Sequence, residues 1–226
     1  MNSIGYVGLD VHKEKISVGV AVRGKQEVEF VGEVFNTTVG LWGLLRQLGK
    51  RCEELRFCYE AGPCGYGVYR YLKGRGFTCE VVAPSLIPNK PGDKVKTNRR
   101  DALKLARLYR AGELTKIQVP SEEQESLRDL FRGREDALIS LKRAKQTLNG
   151  FLLRHHRRYE GRCRWKPMFY RWLDTVRFEN RAQSIVLEDY IEVVRSGERR
   201  VESLGVCPTD PTLAGEFYDF WQLGWD

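Results

Sequence analysis

Three β-type runs lie within the first 35 residues: an apolar run holding a single aspartate, a second that alternates apolar and small residues, and a third beyond a polar turn. Residues 4–11 (IGYVGLDV), 15–22 (KISVGVAV) and 27–35 (EVEFVGEVF) read as three β-strands joined by short polar turns, an antiparallel meander. The period then changes. Across 37–54, Leu41, Leu44, Leu45 and Leu48 recur at helical spacing, and Thr37 or Thr38 stands where an N-cap is needed. Residues 55–62 (LRFCYEAG) and 78–84 (TCEVVAP) are compact apolar runs suited to buried strands, and 65–76 between them suits a short helix closed by Gly76. After a loop at 84–97, Ala102, Leu105, Ala106 and Leu108 form a helical stripe over 98–114, with Asn98 as its expected cap. The order βββ-α-β-α-β-α predicts an α/β fold, a mixed sheet flanked by helices, which is the order used by RNase H-like domains.

Beyond residue 120 the pattern is that of long charged helices. Residues 121–159 place Leu127, Leu130, Phe131, Leu138, Leu141 and Leu148 at intervals of three, four and seven, with Arg and Lys between them, which predicts a helical coiled-coil arm. A second helical stretch, 168–204, is expected to fold back on the first or to pair with another copy, so the arm is the expected route to a homo-oligomer. The expected domains are 1–118, 119–204 and a tail, 205–226, that holds four acids and neither Lys nor Arg.

Composition narrows the classes. With 42% hydrophobic and 30% charged residues the chain reads as soluble and globular, and it has no apolar run approaching the roughly 20 residues that span a bilayer. Its first ten residues lack the basic and apolar segments of a secretion signal, so a cytoplasmic protein without a membrane partner is expected. Six cysteines show neither CxxC pairing nor histidines at zinc spacing and are read as reduced thiols. The net charge of +8 is uneven, for residues 94–166 carry 20 Lys and Arg against 9 Asp and Glu. That middle third is either a nucleic-acid face or a solvated helical surface.

Candidate chemistry starts with Asp10, a carboxylate inside an apolar strand. A buried carboxylate without a partner is costly enough that it takes up a proton or finds a cation. Glu60 ends the fourth predicted strand, which lies beside the first in this topology, and Asp101 falls in the first turn of a helix, with Asn98 three residues earlier. Phosphoryl transfer by two Mg²⁺ ions requires several such carboxylates within a few ångströms. Singly, each has a plain structural explanation: a turn, an arginine partner, a helix-start acid.

Together the stretches GLDVHKEKISVGV, CYEAGPCGYGVYRYL, GDKVKTNRRDALKLARLYRAGELT and LRDLFRGREDALISLKRAKQTLNGFLLRHHRRY resemble the N-terminal half of the insertion-sequence 110 (DEDD) transposases over roughly residues 4–200. The resemblance implies a RuvC-like domain whose four acids bind Mg²⁺, with Mn²⁺ as a substitute, and proteins of this kind use a structured guide RNA to choose DNA. Carried over by position, the acids fall on Asp10, Glu60 and Asp101, while the third position holds Asn98, an oxygen donor without charge. The family's C-terminal serine domain is expected to be absent from this shortened chain, and none of Ser184, Ser196 and Ser203 is assigned as its nucleophile.

Lys94, Lys96, Arg99 and Arg100 are expected to hold phosphates beside the metal site, and Arg154, His155, Arg157 and Arg158 to contact a nucleic-acid backbone. The function expected is RNA-guided, metal-dependent DNA cleavage and transfer in transposition. The alternative is a non-catalytic module that binds nucleic acid and dimerises. GLDVHKEKISVGV also resembles the first phosphate hairpin of actin-like ATPases, but no second Asp-Gly phosphate loop follows it.

Overall fold

The computed structural model describes residues 3–88 and 97–205, and the chain divides into two compact units, Met1–Val119 and Pro120–Asp226. In the first unit the elements are β1 (Ile4–Val11), β2 (Lys15–Val22), β3 (Val28–Phe35), α1 (Thr38–Gly49), β4 (Glu54–Glu60), α2 (Gly67–Lys73), β5 (Thr78–Val82) and α3 (Asn98–Ala111), with a short 3₁₀ turn at Pro84–Leu86. The five strands form one mixed sheet in the order β3-β2-β1-β4-β5. β1–β2 and β2–β3 are antiparallel, whereas β1–β4 and β4–β5 are parallel. This arrangement is consistent with an RNase H-like fold.

Alternation along the strands gives the sheet two apolar faces. On one, Val7, Leu9, Ile16, Val18, Phe57 and Tyr59 are buried together with Leu41, Leu44, Leu45 and Leu48 of α1 and Val68 and Leu72 of α2. The stripe expected over α1 is thus the buried one, and Thr37 caps it by accepting from Gly40 N at 3.1 Å. The other face is covered by α3, whose predicted stripe of Ala102, Leu105, Ala106 and Leu108 is also buried. Here Gly8 and Gly19 face each other across β1 and β2, and a Cβ on Gly8 would lie 2.4 Å from Ala106 N and 2.5 Å from Ala102 O. The glycines therefore let the helix backbone rest directly on the strands.

Two local expectations are corrected. Asn98 is the first residue of α3, and Thr97 is its cap, accepting from Arg100 N at 3.3 Å. α2 ends at Lys73 with Gly74 as its C-cap, two residues before Gly76, which adopts a φ of +81°.

The second unit contains α4 (Glu122–Arg154), α5 (Pro167–Leu173) and α6 (Arg181–Ser203). α4 is one helix of 33 residues opened by a capping box, in which Ser121 accepts from Gln124 N and Gln124 accepts from Ser121 N, both at 3.1 Å. Ser121→Ala is expected to cost about 1 kcal/mol, measurable as a lower urea midpoint. The stretch expected as a single helix over 168–204 is instead two helices. Pro167 opens α5, and Asn180 restarts the chain as α6 by accepting from Ala182 N at 2.9 Å. α6 runs back along α4, since Glu198 pairs with Lys145 at 2.7 Å while Gln183 lies 3.5 Å from His155. Leu141 and Leu148 of the predicted stripe are buried between the helices, but Leu138 is 41% exposed.

Candidate metal and nucleic-acid site

The site is set by the register of α3 on the sheet. Tyr6, Gly8 and Asp10 project from the same face of β1, and they meet α3 in reverse order. Tyr6 packs edge-on against Tyr109 at 5.5 Å, Gly8 receives Ala102 and Ala106, and the charge of Asp101 is felt at Asp10. β1 and α3 are thus antiparallel, and the first turn of the helix reaches the C-terminal end of the strand.

Glu60 joins this face by alternation. Two residues earlier, Cys58 points at α3, with its Sγ 3.8 Å from Leu105 O, while Phe57 and Tyr59 lie in the core on the opposite face. The parallel ladder pairs Leu9 with Tyr59, so its next step sets Asp10 beside Glu60. On the other side of Asp10 the ladder places Ser17 and then Glu33. Ser17 is 1% exposed and donates to Glu33 at 3.5 Å, and Lys15 pairs with Glu33 at 3.1 Å.

Electrostatics separate the acids. Burial pushes the carboxyl of Asp10 above the ordinary aspartate range; His12 opposes the shift, by its charge and its hydrogen bond, and Asp101 adds to it. Asp10 Oδ2 lies 3.1 Å from His12 Nε2, the donor when the carboxylate is ionised. Glu60 and Asn98 are exposed and Asp101 is half-buried. Among the described residues, no three His, Cys, Asp or Glu side chains come together closely enough to hold an ion as they stand. The donors nevertheless suit a hard divalent cation, being all oxygen and including two carboxylates that repel each other.

Of the expected phosphate-holding residues, Lys94 and Lys96 lie outside the described residues. Arg99 and Arg100 are exposed in the first turn of α3, and the Arg99 guanidinium stacks on Phe30 at 5.2 Å. In the second unit Arg154 ends α4, and the His155 ring packs against Phe151 and Phe178. Arg157 donates to Arg177 O at 3.0 Å, while Arg158 is exposed. Nothing in the sequence pattern singled out Ser17 or Glu33; their place in the row follows from strand pairing alone.

Burial raises the thiols of Cys58 and Cys79, the latter to about 12, which makes both poor nucleophiles. Cys52, Cys58, Cys64, Cys79 and Cys163 are free thiols, and among the described residues no helix is long and apolar enough to cross a membrane.

A mixed sheet with acids at the adjoining ends of two parallel strands, and a third acid delivered by a helix lying over them, defines an α/β protein consistent with the RNase H-like fold class. The family model for the IS110-type DEDD transposases, described as "Transposase", matches residues 7–157. The chain is 47% identical over 190 residues to "Putative transposase y4qE" of Sinorhizobium fredii, covering 84% of this chain and 49% of that protein. It is 35% identical over 201 residues to "Transposase for insertion sequence element IS1533" of Leptospira borgpetersenii, covering 88% of this chain and 58% of that protein. The chain belongs to the IS110 family of DEDD transposases, and it spans about half the length of these relatives.

Proposed function

We propose that the first unit supplies the metal-dependent half of a DNA strand-cleavage and transfer reaction in transposition, acting on DNA chosen through a structured guide RNA. The observation that carries this reading is that α3 brings Asp101 over the sheet face shared by Asp10 and Glu60, with Asp10 already feeling the charge of Asp101. Asp10 and Asp101 would hold Mg²⁺ or Mn²⁺, Glu60 would reach it by side-chain rotation, and Asn98 would contribute an amide oxygen. Bound there, such an ion activates an attacking oxygen and stabilises charge at the phosphorus. Arg99 and Arg100, with Lys94 and Lys96, hold the DNA backbone, and Arg154, His155, Arg157 and Arg158 contact RNA or DNA. α4 supports a further part of the reading, a coiled-coil arm through which copies of the chain associate.

The dispersed acids and the uncharged Asn98 favour a second reading, a nucleic-acid-binding and dimerising module without catalysis. Ion binding decides between them. An ion present at 100 times its Kd should stabilise the wild type by about 2.7 kcal/mol, seen as a rise in Tm on adding MnCl₂. Glu60→Gln should reduce that rise at the same concentration. A wild-type Tm indifferent to millimolar Mn²⁺ would overturn the metal reading and leave the second.

A further inference from the structure

The second unit contains a cavity of about 160 Å³ that the proposed metal chemistry does not use. It lies between the C-terminal end of α4, the loop that follows it, and α5. Phe169, 1% exposed, contributes to its lining, and the half-buried Tyr159 and Trp172 stand beside it with their rings tilted and 5.4 Å apart. Asn149, Arg157, Arg158 and Arg164 supply the polar side chains of the lining, which contains no carboxylate. Arg157 is fixed, since it donates to Arg177 O and stacks over Phe178 at 5.3 Å. Arg158 and Arg164 are exposed, and among the described residues neither has a hydrogen bond or ion pair.

The loop holds these groups in place with unusual backbone. His156 (φ +54°) and Trp165 (φ +62°) are the two non-glycine residues with positive φ among the described residues, and each lies within two positions of a lining arginine. Such conformations persist where surrounding packing enforces them, and they gather at ligand sites. Gly161 leaves room for an aromatic wall, because a Cβ there would lie 2.3 Å from the Tyr159 ring.

Aromatic walls beside unpaired guanidinium groups match a nucleotide more closely than any purely apolar ligand. Every base offers a π-face for stacking, and a planar guanidinium pairs with phosphate in two-pronged fashion. We infer that this cavity takes an unpaired nucleotide of a single-stranded nucleic acid, its base against Tyr159 and Trp172 and its flanking phosphates on Arg158 and Arg164. The inference rests on the nucleic-acid contact proposed for this unit and adds strand state to it. Duplex DNA, whose bases are already stacked, gains nothing from the pocket.

The test uses the full chain, an oligothymidine strand and a duplex of equal length, followed by tryptophan fluorescence and by affinity at several salt concentrations. The single strand should quench the fluorescence. Trp172→Phe, which keeps an aromatic wall, should remove most of the quench with less than about a threefold change in Kd, given the sequence tolerance of stacking. The double variant R158A/R164A changes exposed residues only. It should weaken single-strand binding by about tenfold or more and lower the slope of log K against log salt by about 1.4, while duplex binding, which loses only the backbone contact of Arg158, weakens by a clearly smaller factor. Equal weakening of both nucleic acids would overturn the pocket and leave plain backbone contact standing. Failure of the wild type to bind either would overturn the nucleic-acid reading itself. A synthetic peptide of residues 206–226, with Trp221 and Trp225 replaced by phenylalanine to keep it dark, that quenches the chain's tryptophans when oligothymidine does not would overturn the proposal in favour of an acidic, aromatic peptide.

Discussion

Asp10→Asn is expected to abolish divalent-ion binding and to raise the Tm of the ion-free protein. The loss of affinity should exceed the roughly 10–100-fold typical of losing a group that only orients a ligand, because the proposed role of Asp10 is that of a donor. The gain in stability should be of the order of single stabilising substitutions, about 0.5–2 kcal/mol. Asp10 is 20% exposed, lies on the face covered by α3, and is raised above its ordinary value of 3.8 chiefly by burial.

The sign of the pH dependence follows. The native state keeps a proton on Asp10 to higher pH than the unfolded chain does, so the native state binds more protons across that interval. This contribution is therefore most favourable below 3.8, falls as pH rises to the native value, and is level above it. Asp10→Asn should remove that slope, whereas saturating Mn²⁺, which requires the carboxylate, should reverse it. Calorimetric titration of Mn²⁺, together with melts of both proteins between pH 4 and 8, gives the two readouts. Equal heats in wild type and variant would rule out Asp10 as a ligand.

Gly8→Ala should be among the most damaging small substitutions in the first unit. The new methyl would meet backbone atoms of Ala102 and Ala106 at 2.4–2.5 Å, and backbone cannot rotate aside as the tip of a side chain can. Overpacking of this kind costs about 1–3 kcal/mol or more, to be read from the urea midpoint. Because α3 carries Asp101, the displaced helix should also weaken Mn²⁺ binding in whatever fraction remains folded. Gly43→Ala is the matching control, since open space surrounds a Cβ at that position of α1. If Gly8→Ala were as benign as Gly43→Ala, the helix would not rest on the strands in the register described.

Much of the first unit was legible in the sequence because its periodicities are clean. The apolar runs at 4–11 and 15–22 each marked a strand, and the leucines at 41, 44, 45 and 48 marked a helix together with its buried side. The placement of Asp10 beside Glu60 followed from topology, since only a β1–β4 pair brings positions fifty residues apart into one row. The glycine seat was not legible, because a glycine in a strand looks the same whether it marks a bulge, a turn or a close approach. The cap of α3 was misassigned for a related reason: Thr97 and Asn98 are both good caps, and only the backbone distinguishes them. The break before α6 was signalled by Asn180 but masked by apolar residues that continue at helical spacing on both sides.

Arg110, near the far end of α3, donates to the backbone carbonyls of Val22, Lys25 and Gln26 and so ties the helix to the turn between β2 and β3. Seated on glycine midway and tethered at its tail, α3 has no room to slide lengthwise. The distance between the acids of strand and helix is then a fixed gauge. Any preference of this protein for a smaller or a larger ion has to come from how Asp10, Glu60 and Asp101 rotate about their own bonds.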